Sequence, residues 1–364
     1  MMNELEKARL LINEVDEQMA GLFEKRMEAA KAVAAYKKEN GLPIFDSARE
    51  HEVIERNIKR IHHSEFKGYY EEFLHCLMDL SKSYQKSLLA KGTVAYAGIE
   101  GAFSHMVSEA VFPENKKLAL SSFEEVFEAV VRQKAEFGVI PLENNNSGLV
   151  GEVMDGLQKY PVYIVGGYDK TIDQCLLGLP EASLKDIEWV YSKDQALAQA
   201  KDFLAGLNVE TVCYPNTAMA AQFVAREQDI RKAAIGAREN ASLYGLKVLA
   251  RRIEANESNT TRFLIIAREP NRKMEENTAL MAAVSNEVGS LQKVLDILTR
   301  YNMNMDCIQS RPVKGRPFEY FFYIQCNGRI EKEALDACLS DLKKVTTSIE
   351  FKGSYSIKKE RKSS

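Results

Sequence analysis

Arg9, Arg26, Lys37, Asp46, Arg49, Glu50, Ser81 and Gln85 lie within the first 85 positions of the chain, with Asp16 marking the register inside the first predicted helix. Cations on an otherwise apolar helix face are costly to bury unless an anion meets them, so the set reads as a cavity for one small dicarboxylate. The elements that must carry it follow from apolar spacing. Between Leu5 and Tyr36 the residues Ile12, Val15, Met19, Leu22, Phe23 and Val33 keep helical spacing, which predicts one long amphipathic helix. Gly41-Leu42-Pro43 stops it. On such a helix Arg26 and Lys37 are about 20° apart around the axis and roughly 16 Å apart along it, so their long side chains can grip two ends of a metabolite. Arg9 is about 25 Å from Arg26 on a face turned by about 100°. It reaches the same ligand only from a second copy of the helix, which predicts a dimer with composite sites. A second helix near Asp46 puts Asp46, Arg49 and Glu50 on one face, and a third from about Tyr69 to Leu89 does the same for Ser81 and Gln85.

Over about residues 3 to 90 this pattern resembles the all-helical AroQ-type chorismate mutases, in which three helices per chain interlock as a dimer. The resemblance implies that Arg26, Arg49 and the partner's Arg9 hold two carboxylates. It gives Lys37 and Gln85 the ether oxygen whose bond breaks, Glu50 the ring hydroxyl, and Asp46 and Ser81 the rest of the pocket. The reaction is a pericyclic rearrangement. A protein accelerates it by holding the compact conformer and by stabilising charge on the ether oxygen, with no nucleophile or metal.

At 364 residues the chain suits two or three domains. A hydrophobic content of 45% with 28% charged residues is globular, and a net charge of −3 gives no sign of nucleic-acid or membrane attraction. The basic stretch after Ile357 reads as a solvated end. No apolar run approaches about 18 residues and no signal-like segment opens the chain, so a soluble cytoplasmic protein is expected. Cys76, Cys175, Cys213, Cys307, Cys326 and Cys338 form no CxxC pair and read as free, buried thiols. The five histidines have no metal-ligand spacing, so neither a metal nor a cofactor is expected.

After Ala90-Lys91-Gly92 the pattern changes to short apolar runs alternating with helical segments. Strands are predicted at 93–97, 137–141, 162–165, 189–191, 209–213, 233–235 and 263–267, with helices at 104–111 and 123–133. That alternation predicts an α/β domain with largely parallel sheets, whose ligands bind where loops leave the carboxyl ends of strands. Four polar clusters fall at such places: Gly98 and Gly101 before Ser104; Glu143 to Gly148; Asn216-Thr217 at a helix start; and Asn259 to Phe263. Singly each is an ordinary cap or turn. There is no GxGxxG, which argues against a nucleotide-dependent dehydrogenase.

In this order the clusters resemble prephenate dehydratase over about residues 93 to 268, chiefly through Pro141-Leu142-Glu143-Asn144 with Ser147-Gly148, Tyr244-Gly245-Leu246 and Thr261-Arg262-Phe263. The resemblance implies two lobes like a periplasmic binding protein, with prephenate in the cleft. Hydroxide is a poor leaving group, so its loss with CO₂ needs a general acid. The resemblance gives that role to Thr261, a weak acid that Arg262 or oriented backbone dipoles are expected to assist. Ser104, Asn144, Ser147 and Thr217 would bind the carboxylates and hydroxyl, with Gly148 completing the loop and Glu143 orienting the cleft. The chain departs from the family pattern at Ile99, where proline is usual, and at Lys193-Asp194-Gln195, where His-Pro-Gln is usual.

A charged linker at about 268–277 leads to a predicted βαββαβ unit with strands at 278–284, 305–312, 320–325 and 349–355 and helices at 291–301 and 331–345, a ferredoxin-like α+β pattern. Behind a dehydratase it resembles an ACT domain over about 278–357. This implies pairing with its twin and a phenylalanine site carried by Gly289, Ser290 and Leu291 together with Gln309, Ser310, Arg311 and Pro312. The family usually has Ala where this chain has Ser290 and Glu where it has Gln309. The full expectation is a multidomain homodimer or higher homo-oligomer with an all-α module at 1–90, a two-lobed α/β module and an ACT module. It would convert chorismate through prephenate to phenylpyruvate for phenylalanine biosynthesis, with phenylalanine as effector. The alternative is a mutase regulated by an inactive ligand-binding cleft and the ACT sensor.

Overall fold

The computed structural model describes residues 3–40, 47–89, 92–254, 259–312 and 320–360. The chain divides into two compact units, Met1–Gly92 with Glu114–Lys116, and Thr93–Pro113 with Lys117–Ser364.

In the first unit α1 (Glu4–Glu39) packs on α3 (Lys67–Leu89), which also carries α2 (Ser47–Ile58). Their shared core is small: Ile54, Leu74 and Met78, with Val53, Ile58 and Tyr70 against it. Every residue of α1 from Glu4 to Lys25 is exposed. Leu5, Ile12, Met19 and Val33 recur at multiples of seven, and Arg26 stands in the same column. Asp46 lies outside the described residues.

The second unit begins with β1 (Thr93–Ala97), α4 (Phe103–Val111), β2 (Lys116–Leu120), α5 (Phe123–Val131), β3 (Phe137–Asn144), β4 (Gly148–Leu149), α6 (Gly151–Lys159) and β5 (Tyr163–Thr171). The chain then crosses to a second sheet through β6 (Gln174–Gly178), β7 (Trp189–Ser192), α7 (Asp194–Gln199), α8 (Lys201–Ala205), β8 (Glu210–Cys213), α9 (Thr217–Glu227), β9 (Lys232–Ala237), α10 (Glu239–Tyr244) and β10 (Lys247–Ala250). It returns as β11 (Thr260–Ala267). The main path of the first sheet runs β16-β5-β11-β3-β1-β2 and the second sheet runs β10-β6-β9-β7-β8. The remaining elements are β12 (Asn277–Ala283), α11 (Ser290–Arg300), β13 (Asn304–Pro312), β14 (Tyr320–Asn327), α12 (Lys332–Lys343), β15 (Ser348–Tyr355) and β16 (Ile357–Lys359).

Three expectations are corrected. The sheets are mixed rather than largely parallel. β1 and β3 pair parallel, but β11 returns from the second sheet and enters antiparallel to both β3 and β5. The basic stretch after Ile357 is more than a solvated end: Lys358 and Lys359 are exposed, yet their backbone, as β16, pairs with the edge of β5. The thiols are also not uniformly buried: Cys76 and Cys213 are exposed and Cys307 is half-buried.

The βαββαβ order read in the sequence is the observed one, with sheet order β13-β14-β12-β15. One face of this sheet, through Leu280, Ala282 and Ile324, packs under α11 and α12. The other face, through Ala279, Met281, Phe321, Tyr323 and Tyr355, shares a core with the first sheet. β15 comes so close to β5 that a Cβ at Gly353, whose φ is +137°, would lie 2.1 Å from the Ile164 carbonyl oxygen. Only glycine fits that approach.

One stretch of register positions the chemistry. Across β5-β11-β3, Thr261 stands opposite Lys170 and Asn144, while Arg262 stands opposite Asp169 and Glu143. Directly opposed residues share a sheet face and consecutive residues alternate. The two rows therefore face opposite sides of the same sheet.

Candidate active sites

The Lys170-Thr261-Asn144 row lies at one end of the first sheet, where β3 runs into the Asn144–Gly148 turn. The buried Asn144 amide organises that turn. Its Oδ1 accepts from the backbone N–H groups of Asn146 (3.0 Å) and Ser147 (3.2 Å), so its Nδ2 is the donor to Thr261 Oγ1 (2.9 Å) and Asn259 Oδ1 (2.7 Å). With a lone pair of the Thr261 hydroxyl engaged this way, its hydrogen is left to donate elsewhere. An N–H so placed can steady an alkoxide on that oxygen. Asn259 Nδ2 in turn donates to Gln199 Oε1 at the end of α7 (3.2 Å), and Gln195 Nε2 on α7 donates to Ser147 Oγ (2.9 Å). These contacts join the two sheets around Thr261.

The Gly98–Ser104 loop forms another wall. Gly101 has φ +85°, and a Cβ there would lie 2.6 Å from Asn240 Oδ1 on α10. The Tyr244 hydroxyl closes the contact by donating to the Glu100 carbonyl. Asn240 is fully buried, and neither polar atom of its amide has a partner among the described residues. Such a group is expected to hold a ligand or water. His105 Nδ1 accepts from Gly101 N–H (3.2 Å), and burial pushes the imidazole pKa down, so the neutral ring fits this role. Ser104 is buried at the start of α4, and Thr217 opens α9 beneath the Asn216 cap, whose side chain accepts from Met219 N–H (2.8 Å). Gly148, with φ +77°, ends the Asn144 turn.

Arg262 does not assist Thr261. Its guanidinium is bound on the opposite face by Asp169 (2.8 Å) and Glu143 (3.2 Å), and the Asp169 contact raises its pKa. Of the two, the Asn144 amide is the one in contact with Thr261. Glu143 likewise faces away from Thr261, toward Arg262.

In the helical unit the Arg26 guanidinium donates to Ser81 Oγ and to the Leu77 carbonyl (3.1 Å), so α1 and α3 bring these predicted residues together. Gln85 lies one turn beyond Ser81 on α3. It is buried, and its Oε1 has no partner among the described residues. Lys37 is half-buried on α1. Glu50 is held by Lys82 (3.0 Å), a residue the spacing argument missed. Arg49 is exposed and pairs with Glu52 (2.6 Å), and Arg9 is exposed far along α1.

In the βαββαβ unit Gly289, with φ +83°, precedes α11, and Ser290 is buried with its hydroxyl 3.0 Å from that of Ser285. Leu291 follows in the first turn. Gln309, Ser310 and Pro312 are exposed on the edge strand β13, with β14 between them and β12. Arg311 turns instead to Asp155 on α6 (3.0 Å). Among the described residues no group of three or more His, Cys, Asp or Glu is placed to hold a metal. Among them also no helix is long and apolar enough to cross a membrane.

Two family models match the chain, prephenate dehydratase over residues 94–271 and chorismate mutase type II over residues 8–86. The chain is 30% identical over 373 residues to the bifunctional chorismate mutase/prephenate dehydratase of Escherichia coli (strain K12), covering 97% of this chain and 96% of that one. A solved prephenate dehydratase from Arthrobacter aurescens in complex with L-Phe is similar with a TM-score of 0.66 at 25% identity, covering 72% of this chain and 89% of that one. A structure described as a novel type of quorum-quenching acylase is also similar, with a TM-score of 0.66 at 28% identity over 73% and 98% of the two chains.

Proposed function

The chain belongs to the bifunctional chorismate mutase/prephenate dehydratase family, and from that premise we propose which of its residues perform each step. The enzyme rearranges chorismate to prephenate, then dehydrates and decarboxylates prephenate to phenylpyruvate.

Three functional modules carry this out: a helical mutase at 1–90, a dehydratase at 93–268 and an ACT module at 278–357. In the mutase Arg26 and Arg49 grip the carboxylates with the partner's Arg9, Lys37 and Gln85 address the ether oxygen, and Glu50, Asp46 and Ser81 complete the pocket. Two observations support the shared site. One face of α1 leaves Leu5, Ile12, Val15, Met19 and Leu22 exposed, each by 44% or more. A lone helix with such a stripe is poorly stable in water, and a second copy covers it. Gln85 also carries a buried, unused acceptor.

The dehydratase reading rests above all on the hydrogen bond from Asn144 Nδ2 to Thr261 Oγ1. Thr261 gives its proton to the departing hydroxyl while the carboxylate leaves as CO₂, and Asn144 stabilises the oxygen left behind. Ser104, Ser147 and Thr217 orient the substrate within a cleft between two sheets, which we read as a periplasmic-binding-protein-like arrangement because the chain crosses between them twice. The acylase likeness carries no second reading. His105 is the one histidine of the second unit; its Nδ1 accepts from Gly101 N–H, which leaves the ring proton on Nε2, so that nitrogen does not accept a hydroxyl proton as a serine–histidine pair requires.

The βαββαβ unit acts as a phenylalanine-sensing ACT module. Its exposed β13 edge and the Gly289 turn support pairing of two copies around the effector, and L-Phe bound to the Arthrobacter aurescens relative supports that ligand. A chorismate feed to purified protein, following prephenate and phenylpyruvate separately with and without phenylalanine, tests the whole assignment. Phenylpyruvate suppressed by phenylalanine is the expected result. Prephenate accumulating alone would favour an inactive cleft.

A further inference from the structure

Lys170 stands opposite Thr261 on the face that also carries Asn144. It is only 8% exposed. Its ammonium is met by two carboxylates, Glu360 at 2.5 Å and Glu239 on α10 at 3.6 Å. Glu360 follows β16 and is seated by backbone contacts as well. Its other carboxylate oxygen accepts from Thr171 N–H (3.0 Å), and its own N–H donates to the Asp169 carbonyl (3.1 Å). Glu239 precedes Asn240, the unsatisfied amide facing the Gly101 loop. The ammonium thus lies where β5, α10 and the residue after β16 converge, one cross-strand step from the proposed acid.

The substrate is a dianion, and each of its carboxylates needs a cation or a set of donors. Arg262, which the sequence offered for the cleft, is bound on the rear of the sheet by Asp169 and Glu143. Opposed side chains start about 5 Å apart at Cβ, and the four-carbon lysine stem is flexible, so Lys170 can reach a ligand held over Thr261. With Glu360 and Glu239 both present, the local charge around the ammonium is −1. A further anion enters most easily by taking the place of one carboxylate, an exchange that never leaves the buried ammonium unpaired.

We propose that Lys170 binds a carboxylate of the dehydratase substrate and that Glu360 occupies the same ammonium as an internal competitor. The inference rests on the reading of the Thr261 row as the dehydratase cleft. The other explanation of the ion pair is a clasp holding β16 to β5, which changes melting temperature but leaves substrate affinity alone.

Steady-state kinetics with prephenate on the full-length protein separate these. Lys170→Gln is expected to raise KM by ~10- to 100-fold, the loss typical of a charge-assisted hydrogen bond, with kcat little changed. Lys170→Arg restores most of the affinity. Glu360→Gln lowers KM by about threefold or more, the opposite direction. If Lys170→Gln does not fold, the Glu360→Gln result alone decides. Unchanged KM in Glu360→Gln, or the same direction of change in both variants, overturns the proposal. Thr261→Ala run alongside tests the underlying reading, because turnover surviving in that variant places the failure in the cleft assignment rather than in Lys170.

Discussion

Arg311 Nη2 lies 3.0 Å from Asp155 Oδ1 and joins the end of β13 to α6. That helix begins at Gly151, just beyond the Asn144–Gly148 turn, and a side chain at Gly151 would collide with the guanidinium. The arginine proposed for the effector site thus connects the βαββαβ sheet to the element that follows the Asn144–Gly148 turn. Arg311→Ala is therefore expected to weaken inhibition by phenylalanine ~5- to 50-fold, within the usual range of allosteric coupling, while leaving uninhibited turnover within about twofold. Calorimetry checks the cause: phenylalanine still binding without inhibiting identifies lost coupling, whereas lost binding returns Arg311 to the effector site.

Removing the proposed acid tests the second reaction. Thr261→Ala should lower dehydratase kcat by ~10²- to 10⁴-fold, the range for general-acid loss, and Thr261→Ser should recover much of it. Asn144→Ala should cost ~10²- to 10³-fold through the lost donor. Chorismate mutase rates measured in the same preparations should not move. A fall in both activities would point to misfolding instead.

A pH dependence follows from His105. Burial lowers its pKa in the folded chain, so the unfolded chain binds the proton more readily. Stability from this group is complete above the unfolded value of about 6.5 and declines as pH falls below it. Protonation also removes the acceptor that holds Gly101 N–H. Melting temperature and affinity for prephenate should both drop between about pH 6.5 and 5, and His105→Gln, whose amide oxygen still accepts, should flatten that slope. An unaltered slope in the variant would assign the effect to other groups.

Complementation probes the first reaction. Chains carrying Arg9→Ala and Arg26→Ala, each inactive alone, should regain up to about a quarter of wild-type mutase activity when mixed. Random pairing makes half of the dimers heterodimers, and in each of those one of two composite sites keeps both arginines. With one of the two variants labelled with 15N to separate the masses, native mass spectrometry establishes that heterodimers formed. Their presence without recovered activity would exclude the shared site.

Much of this architecture was readable in the residues. Helical periodicity located α1 and α3, and the i, i+4 spacing of Ser81 and Gln85 put both on the face of α3 that Arg26 reaches through Ser81. The alternation of side chains along a strand already separates Thr261 from Arg262, so their opposite orientations were implicit in Thr261-Arg262-Phe263. What replaced Arg262 was hidden, because Asn144 becomes its neighbour only through pairing of segments 117 positions apart. The direction of β11 was equally hidden, since nothing local tells a returning strand how it will enter. Lys170 and Asn240 owe their surroundings to register and to the approach of α10. β16 carries lysines that read as solvated, yet backbone pairing with β5 fixes it.

If the apolar face of α1 pairs with a second copy, as proposed, the two rates scale differently with abundance. If prephenate is made only where two chains share a pocket, its production falls faster than linearly once the protein is diluted below the dissociation constant of the dimer. The cleft that consumes prephenate is built within one chain and loses rate only in proportion. The ratio of the two catalytic outputs therefore becomes a gauge of enzyme concentration: a scarce enzyme draws down intermediate supplied from elsewhere, and an abundant one generates its own.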